Sequence, residues 1–206
     1  MTNDEPVWFE TDTDREGVDG LEMAVEQLRH VLEDVYRWKW VILATHNALT
    51  CLMCVAVQGS NKLGAMQDRY VKAWNEAYER HERLSSEQEE KLGYLVDFME
   101  LFKRVQGPPM TQFGHSRRLR PTSDQRDAVR SLNYWRRQFT HYKPLSLSIE
   151  VRGYPDIVEE CFGVAEFLAL ESGNVFWGDD PLIERTRRAL EEGRRILAEI
   201  KQLYGE

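Results

Sequence analysis

Along most of this chain apolar residues recur at intervals of three and four, the spacing that lays a single stripe down one side of a helix. Leu21, Ala24, Val25, Leu28, Val31, Leu32 and Val35 form the first such stripe, with Asp19 placed to cap its start. Tyr70, Trp74, Tyr78, His81 and Leu84 form a second, and Leu92, Leu95, Val96, Met99 and Phe102 a third, behind an "SSEQE" that offers a capping box. Leu182, Ile183, Thr186, Leu190, Leu197 and Ile200 form the last, after Asp180 and Pro181 in cap and first-turn positions. The stretch "YPDIVEECFGVAEFLALESGN" runs from Pro155 to a stop at Gly173 with apolar residues on most sides, the pattern of a deeply buried helix. Only "LSLSIEV" alternates, which predicts a short extended segment near residues 146–151. The expected fold is all-α: an antiparallel helical bundle of about six to seven helices, with residues 20–206 as one domain.

Val41–Val57 is continuous enough to raise the question of a membrane. It is 17 residues long, short of the ~20 needed to cross a bilayer, and it contains Thr45, His46, Asn47 and Thr50. The preceding Trp38-Lys39-Trp40 has the character of an interfacial belt. The amphipathic stripes around it nevertheless need an apolar element to pack on, so it reads as a central core helix and no membrane contact is expected.

Composition narrows the picture. A chain of 206 residues with 42% hydrophobic residues suffices for one sizeable core. Three cysteines and no apolar leader after Met1 point to a reducing cytoplasm. A formal net charge of -8 argues against indiscriminate coating of nucleic acid. The charge is unevenly distributed: residues 1–20 carry seven acids and one base, whereas residues 103–137 carry nine bases and two acids. Residues 1–19 read as a disordered acidic tail whose charge complements the basic loop Arg117–Arg120 and could shield it.

Several chemistries lack their parts. Cys51 and Cys54 form a C-x-x-C, but no second pair completes a zinc site, and their mid-helix setting between apolar residues suits buried small hydrophobes better than a redox pair. His46 reads as a satisfied core histidine. Phosphate-loop, dinucleotide, zinc-protease and serine-hydrolase signatures are missing, as is the Glu-x-x-His pairing of di-iron bundles. No cofactor and no metal are predicted.

The remaining candidate is the helix leading into "RRQFTHYKP". It should begin at Thr122 or Ser123 and end near His141, because Pro144 cannot continue it. Ala128, Leu132, Trp135 and Phe139 make a packing stripe, and Arg126, Arg130, Asn133, Arg137 and His141 make the opposite, cationic one, with Arg136 on the flank between. The form R-x4-H within "LNYWRRQFTHYKPLSLSIEVRGYPDI" resembles an uncharacterised bacterial family of the HEPN superfamily, best over residues 129–177. That resemblance implies a helical, often dimeric protein, and in many members a metal-independent ribonuclease of toxin or defence systems, with Arg136 and His141 in the motif positions. Arg137 departs from the small polar residue usual after the first arginine. The expected catalytic residues are therefore Arg136, Arg137 and His141, with Arg117, Arg118, Arg120, Arg126, Arg130, Asn133, Tyr142 and Lys143 contacting RNA. The expected product is a 2′,3′-cyclic phosphate, and a homodimer is expected, with an antitoxin or a nucleotidyltransferase as possible partner. A non-catalytic RNA- or nucleotide-binding module and a helical protein-interaction partner are the alternatives on the same residues.

Overall fold

The computed structural model describes residues 7–93, 95–111, 113–141, 146, 148–178 and 180–205. Among these the backbone forms eight α-helices and no strand. They are α1 (Thr13–Leu28), α2 (Arg37–Val57), α3 (Asp68–Glu79), α4 (Ser86–Leu92), α5 (Phe98–Arg104), α6 (Ser123–Thr140), α7 (Tyr154–Glu166) and α8 (Asp180–Tyr204). A π-helical turn, Phe167–Glu171, continues α7. The all-α bundle expected from the periodicity is the fold observed.

Helix α2 is the hub, in contact with α1, α5, α6 and α7. Its apolar residues face inward on nearly every side: Val41, Ile42, Ala48, Leu49, Leu52, Met53 and Val57 are fully enclosed. It is the one described helix long and apolar enough to cross a membrane, yet 67% of its most hydrophobic window is buried inside the protein. The amphipathic helices thus cover it. Aromatic contacts lock the start of α2 to its neighbours. Trp38 meets Tyr154 of α7 edge-on at 5.6 Å and donates its indole N–H to the Tyr204 hydroxyl of α8 at 3.0 Å, while Trp135 of α6 meets the same Tyr154 at 5.5 Å.

Helix boundaries depart from the sequence reading in four places. The first helix starts at Thr13, capped by Asp12 accepting from the Arg15 amide, so residues 13–19 belong to the fold instead of to a tail. Gly17 and Val18 are buried against α2, which outweighs the local excess of acid. The same helix ends at Leu28, short of Leu32 and Val35, both about half exposed. The stripe through Tyr70 stops at Glu79, and His81 takes φ 59° in the left-handed region. The third stripe is two helices: the Ser85–Gln88 capping box starts α4, Gly93 at φ 68° ends it, and Asp97 caps α5 afresh. This division accounts for eight helices where six to seven were expected. The alternating segment forms no strand among its described residues; Ile149 and Val151 lie against the helical core instead. An alternating segment with no strand beside it has no ladder to join, so its apolar side chains pack on helices.

Ion pairs bind α8 to the other helices. Arg185 holds Asp19 and Glu22 of α1, Arg29 just after α1 reaches Glu192, Arg194 holds Glu166, and Lys201 holds Asp156 and Glu159 of α7. Asp19 is therefore engaged with Arg185 of α8.

Candidate functional site

Helix α6 fixes the site, and its start is well built. Thr122 accepts from the Gln125 amide while the Gln125 side chain accepts from the Thr122 amide, a closed capping box. Ala128, Val129 and Leu132 bury the inner face. The helix ends as its sequence requires, with His141 as C-cap donating its backbone N–H to the Arg137 carbonyl at 3.0 Å.

Along the outer face runs a groove of about 480 Å³ lined by Met99, Arg130, Asn133, Tyr134, Arg137, Gln138 and His141. None of these residues is acidic. Arg130 is paired with Asp127 at 3.1 Å, an exposed pair one turn apart that water and salt weaken. Arg137 and His141 are both exposed, and the Arg137 guanidinium has no hydrogen bond or ion pair to a described residue. On an α-helix they project only about 40° apart, whereas Arg136 and His141 project about 140° apart. The structure thus brings Arg137, not Arg136, into the groove with His141.

Arg136 does not line the groove, and its charge is felt by His46 of α2. Its positive charge, together with burial, holds the His46 imidazole down to a pKa of about 4, burial being the larger cause and the Asn133 hydrogen bond opposing both. His46 stacks on Phe98 of α5 at 4.0 Å between ring centres, its Nε2 lies 3.4 Å from Asn133 Oδ1, and its Nδ1 lies 3.5 Å from the Thr50 hydroxyl. The Thr50 hydroxyl donates to the His46 carbonyl at 2.7 Å. His46 is a satisfied core histidine, and its role at the rim is to hold Asn133.

The remaining arginines divide by what they already hold. Arg117 donates twice to the Glu171 carbonyl and stands over the Phe167 ring, so it clamps the loop to the end of α7. Arg126 donates to the Pro121 carbonyl at 2.8 Å. Arg118 and Arg120 are exposed and have no described partner. Tyr142 and Lys143 lie outside the described residues.

Sequence reasoning did not include Met99, Tyr134 and Gln138 in the groove. Tyr134 and Gln138 lie one and two turns beyond Arg130 on the same projection and could have been found there; Met99 comes from another helix and could not. Among the described residues no three His, Cys, Asp or Glu side chains gather as a metal-ligand set. Burial pushes the Cys51 and Cys54 thiols up to about 11 and about 12, and both cysteines are free. Comparison with protein-family models, curated proteins and solved structures returns no match for this chain.

Proposed function

We propose that this protein is a metal-independent endoribonuclease that grips RNA in the α6 groove, with His141 moving protons and Arg137 holding the scissile phosphate. The observation that supports it is the pairing of an exposed imidazole and an unpaired guanidinium in one acid-free groove. A carboxylate there would repel phosphate; none of the described lining residues carries one, which leaves the imidazole and the guanidinium open to an anion. The R-x4-H resemblance points to the same helix, with the difference that Arg137 takes the part the motif gives to Arg136.

The chemistry follows from the groups. Neutral His141 takes the proton of a ribose 2′-hydroxyl, the 2′-oxygen attacks phosphorus, and the bond from phosphorus to the 5′-oxygen breaks. The products are a 2′,3′-cyclic phosphate and a 5′-hydroxyl. Arg137 and Arg130 stabilise the charge that builds on the phosphate oxygens. The leaving oxygen takes its proton from His141 of a second copy in a symmetric homodimer, an arrangement that sets two imidazoles on opposite sides of one phosphodiester.

The test is incubation of RNA with the full chain in EDTA beside His141→Ala, with analysis of the 3′ ends. Cyclic phosphate ends from wild type and none from the variant are the expected result. RNA that binds in a salt-dependent way but stays intact would replace the enzyme by a binding module. RNA that neither binds nor is cut would remove the reading.

A further inference from the structure

A second group of rings, none of which lines the α6 groove, gathers at the surface. Phe113 and His115 are nearly parallel, with planes 21° apart and centres 6.4 Å apart, and Phe176 stands edge-on to both, at 4.8 Å from Phe113 and 6.5 Å from His115. Phe176 is 60% exposed and His115 is exposed too, so neither ring is there to fill the core. A lone exposed apolar residue is ordinary; three rings converging at the surface from two separate segments are not.

These rings are also held in place. The Arg117 amide donates to the Ser172 carbonyl at 2.8 Å, and the Arg117 guanidinium grips the Glu171 carbonyl, so the loop carrying Phe113 and His115 is pinned to the turn that carries Phe176. Gly173, at φ 68°, lets the His115 ring approach its backbone: a Cβ there would lie 2.7 Å from His115 Cδ2. Asn174 anchors the same turn from below, its amide donating to the Met110 and Ser172 carbonyls. Arg117 is used up in holding the loop, whereas Arg118 and Arg120 beside it are exposed and have no partner among the described residues. Rings held at the surface close in sequence to exposed guanidinium groups are the parts from which single-stranded nucleic acid sites are made, since every base has a face to stack and every nucleotide a phosphate to neutralise.

We propose that Phe113, His115 and Phe176 form a base-stacking platform for unpaired RNA, with Arg118 and Arg120 contacting its phosphates. This inference rests on the ribonuclease reading and names its substrate class. Bases stacked in a duplex have no free face to offer, so the platform selects single-stranded RNA.

The experiment measures binding to the full chain of three fluorescent probes of equal length: a 2′-O-methylated single strand that cannot be cut, its blunt duplex, and an abasic sugar-phosphate strand. Wild type should bind the single strand most tightly. Phe176→Ala should weaken that binding roughly tenfold, leave binding of the abasic strand unchanged, and erase the preference, while Phe176→Tyr retains it. Phe176 is exposed, so the variant should fold, and an unchanged circular dichroism spectrum verifies that. If Phe176→Ala binds the single strand as wild type does while Arg137→Ala still weakens it, the platform is overturned and the groove stands. If wild type binds none of the probes, both fall together.

Discussion

The side-chain oxygen of Asn133 lies 3.4 Å from Nε2 of His46, so one amide both lines the outer groove and satisfies a histidine in the core. The contact aligns the amide on the groove wall, and burial keeps the imidazole neutral. It also couples the groove to acid.

The folded protein keeps His46 neutral down to about pH 4, whereas the unfolded chain takes up that proton near 6.5. Between those values the unfolded state binds more protons, so stability is full above the higher pKa and falls as pH drops through the window, by on the order of 3 kcal/mol once complete. Urea denaturation of wild type and His46→Gln near neutral pH and near the lower pKa checks this: the variant should lose less stability on acidification. Equal losses in the two proteins would show that other groups carry the acid sensitivity.

Arg136 and Arg137 are neighbours in sequence but differ in setting: Arg137 lines the groove, whereas the charge of Arg136 acts on His46. Removing Arg137 should weaken RNA binding and reduce the salt slope by about one, because one phosphate contact is lost. Removing Arg136 should leave that slope unchanged and raise the His46 pKa, since a positive charge beside the ring disappears. Salt titrations read the first effect and the imidazole proton resonances the second. Identical salt slopes for the two variants would contradict the division.

Gly193 of α8 is buried where α8 crosses α1 and α7, and an added Cβ would lie 2.4 Å from the Phe162 ring and 3.1 Å from a Val25 methyl. Glycine to alanine inside a helix normally gains about 1 kcal/mol. Here Phe162 is wholly enclosed and cannot yield, so overpacking of about 1–3 kcal/mol outweighs the gain. Gly193→Ala should therefore lower the thermal midpoint, and a raised midpoint would show that the crossing has slack.

The helical class was legible from the chain because a stripe at three- and four-residue spacing has one solution, and α6 could be bounded almost to the residue because its cap, Thr122 with Gln125, and its stop before Pro144 are local chemistry. The central position of α2 was legible for the same kind of reason: its neighbours are amphipathic and need an apolar partner. What local pattern could not supply was the division of 85–104 into α4 and α5, which depends on Gly93 adopting a positive φ, and the early start of α1, which depends on Val18 and Gly17 finding α2.

At the site, the sequence alone placed Arg130, Asn133, Arg137 and His141 on one face, since helical projection is a property of the chain. Only the tertiary structure decided that the charge of Arg136 acts on His46, that Arg117 is occupied by Glu171, and that Met99 completes the groove, because each depends on which helix packs against which. Spacing along one helix sets which side chains point the same way; packing between helices determines which of them stay free to meet a ligand.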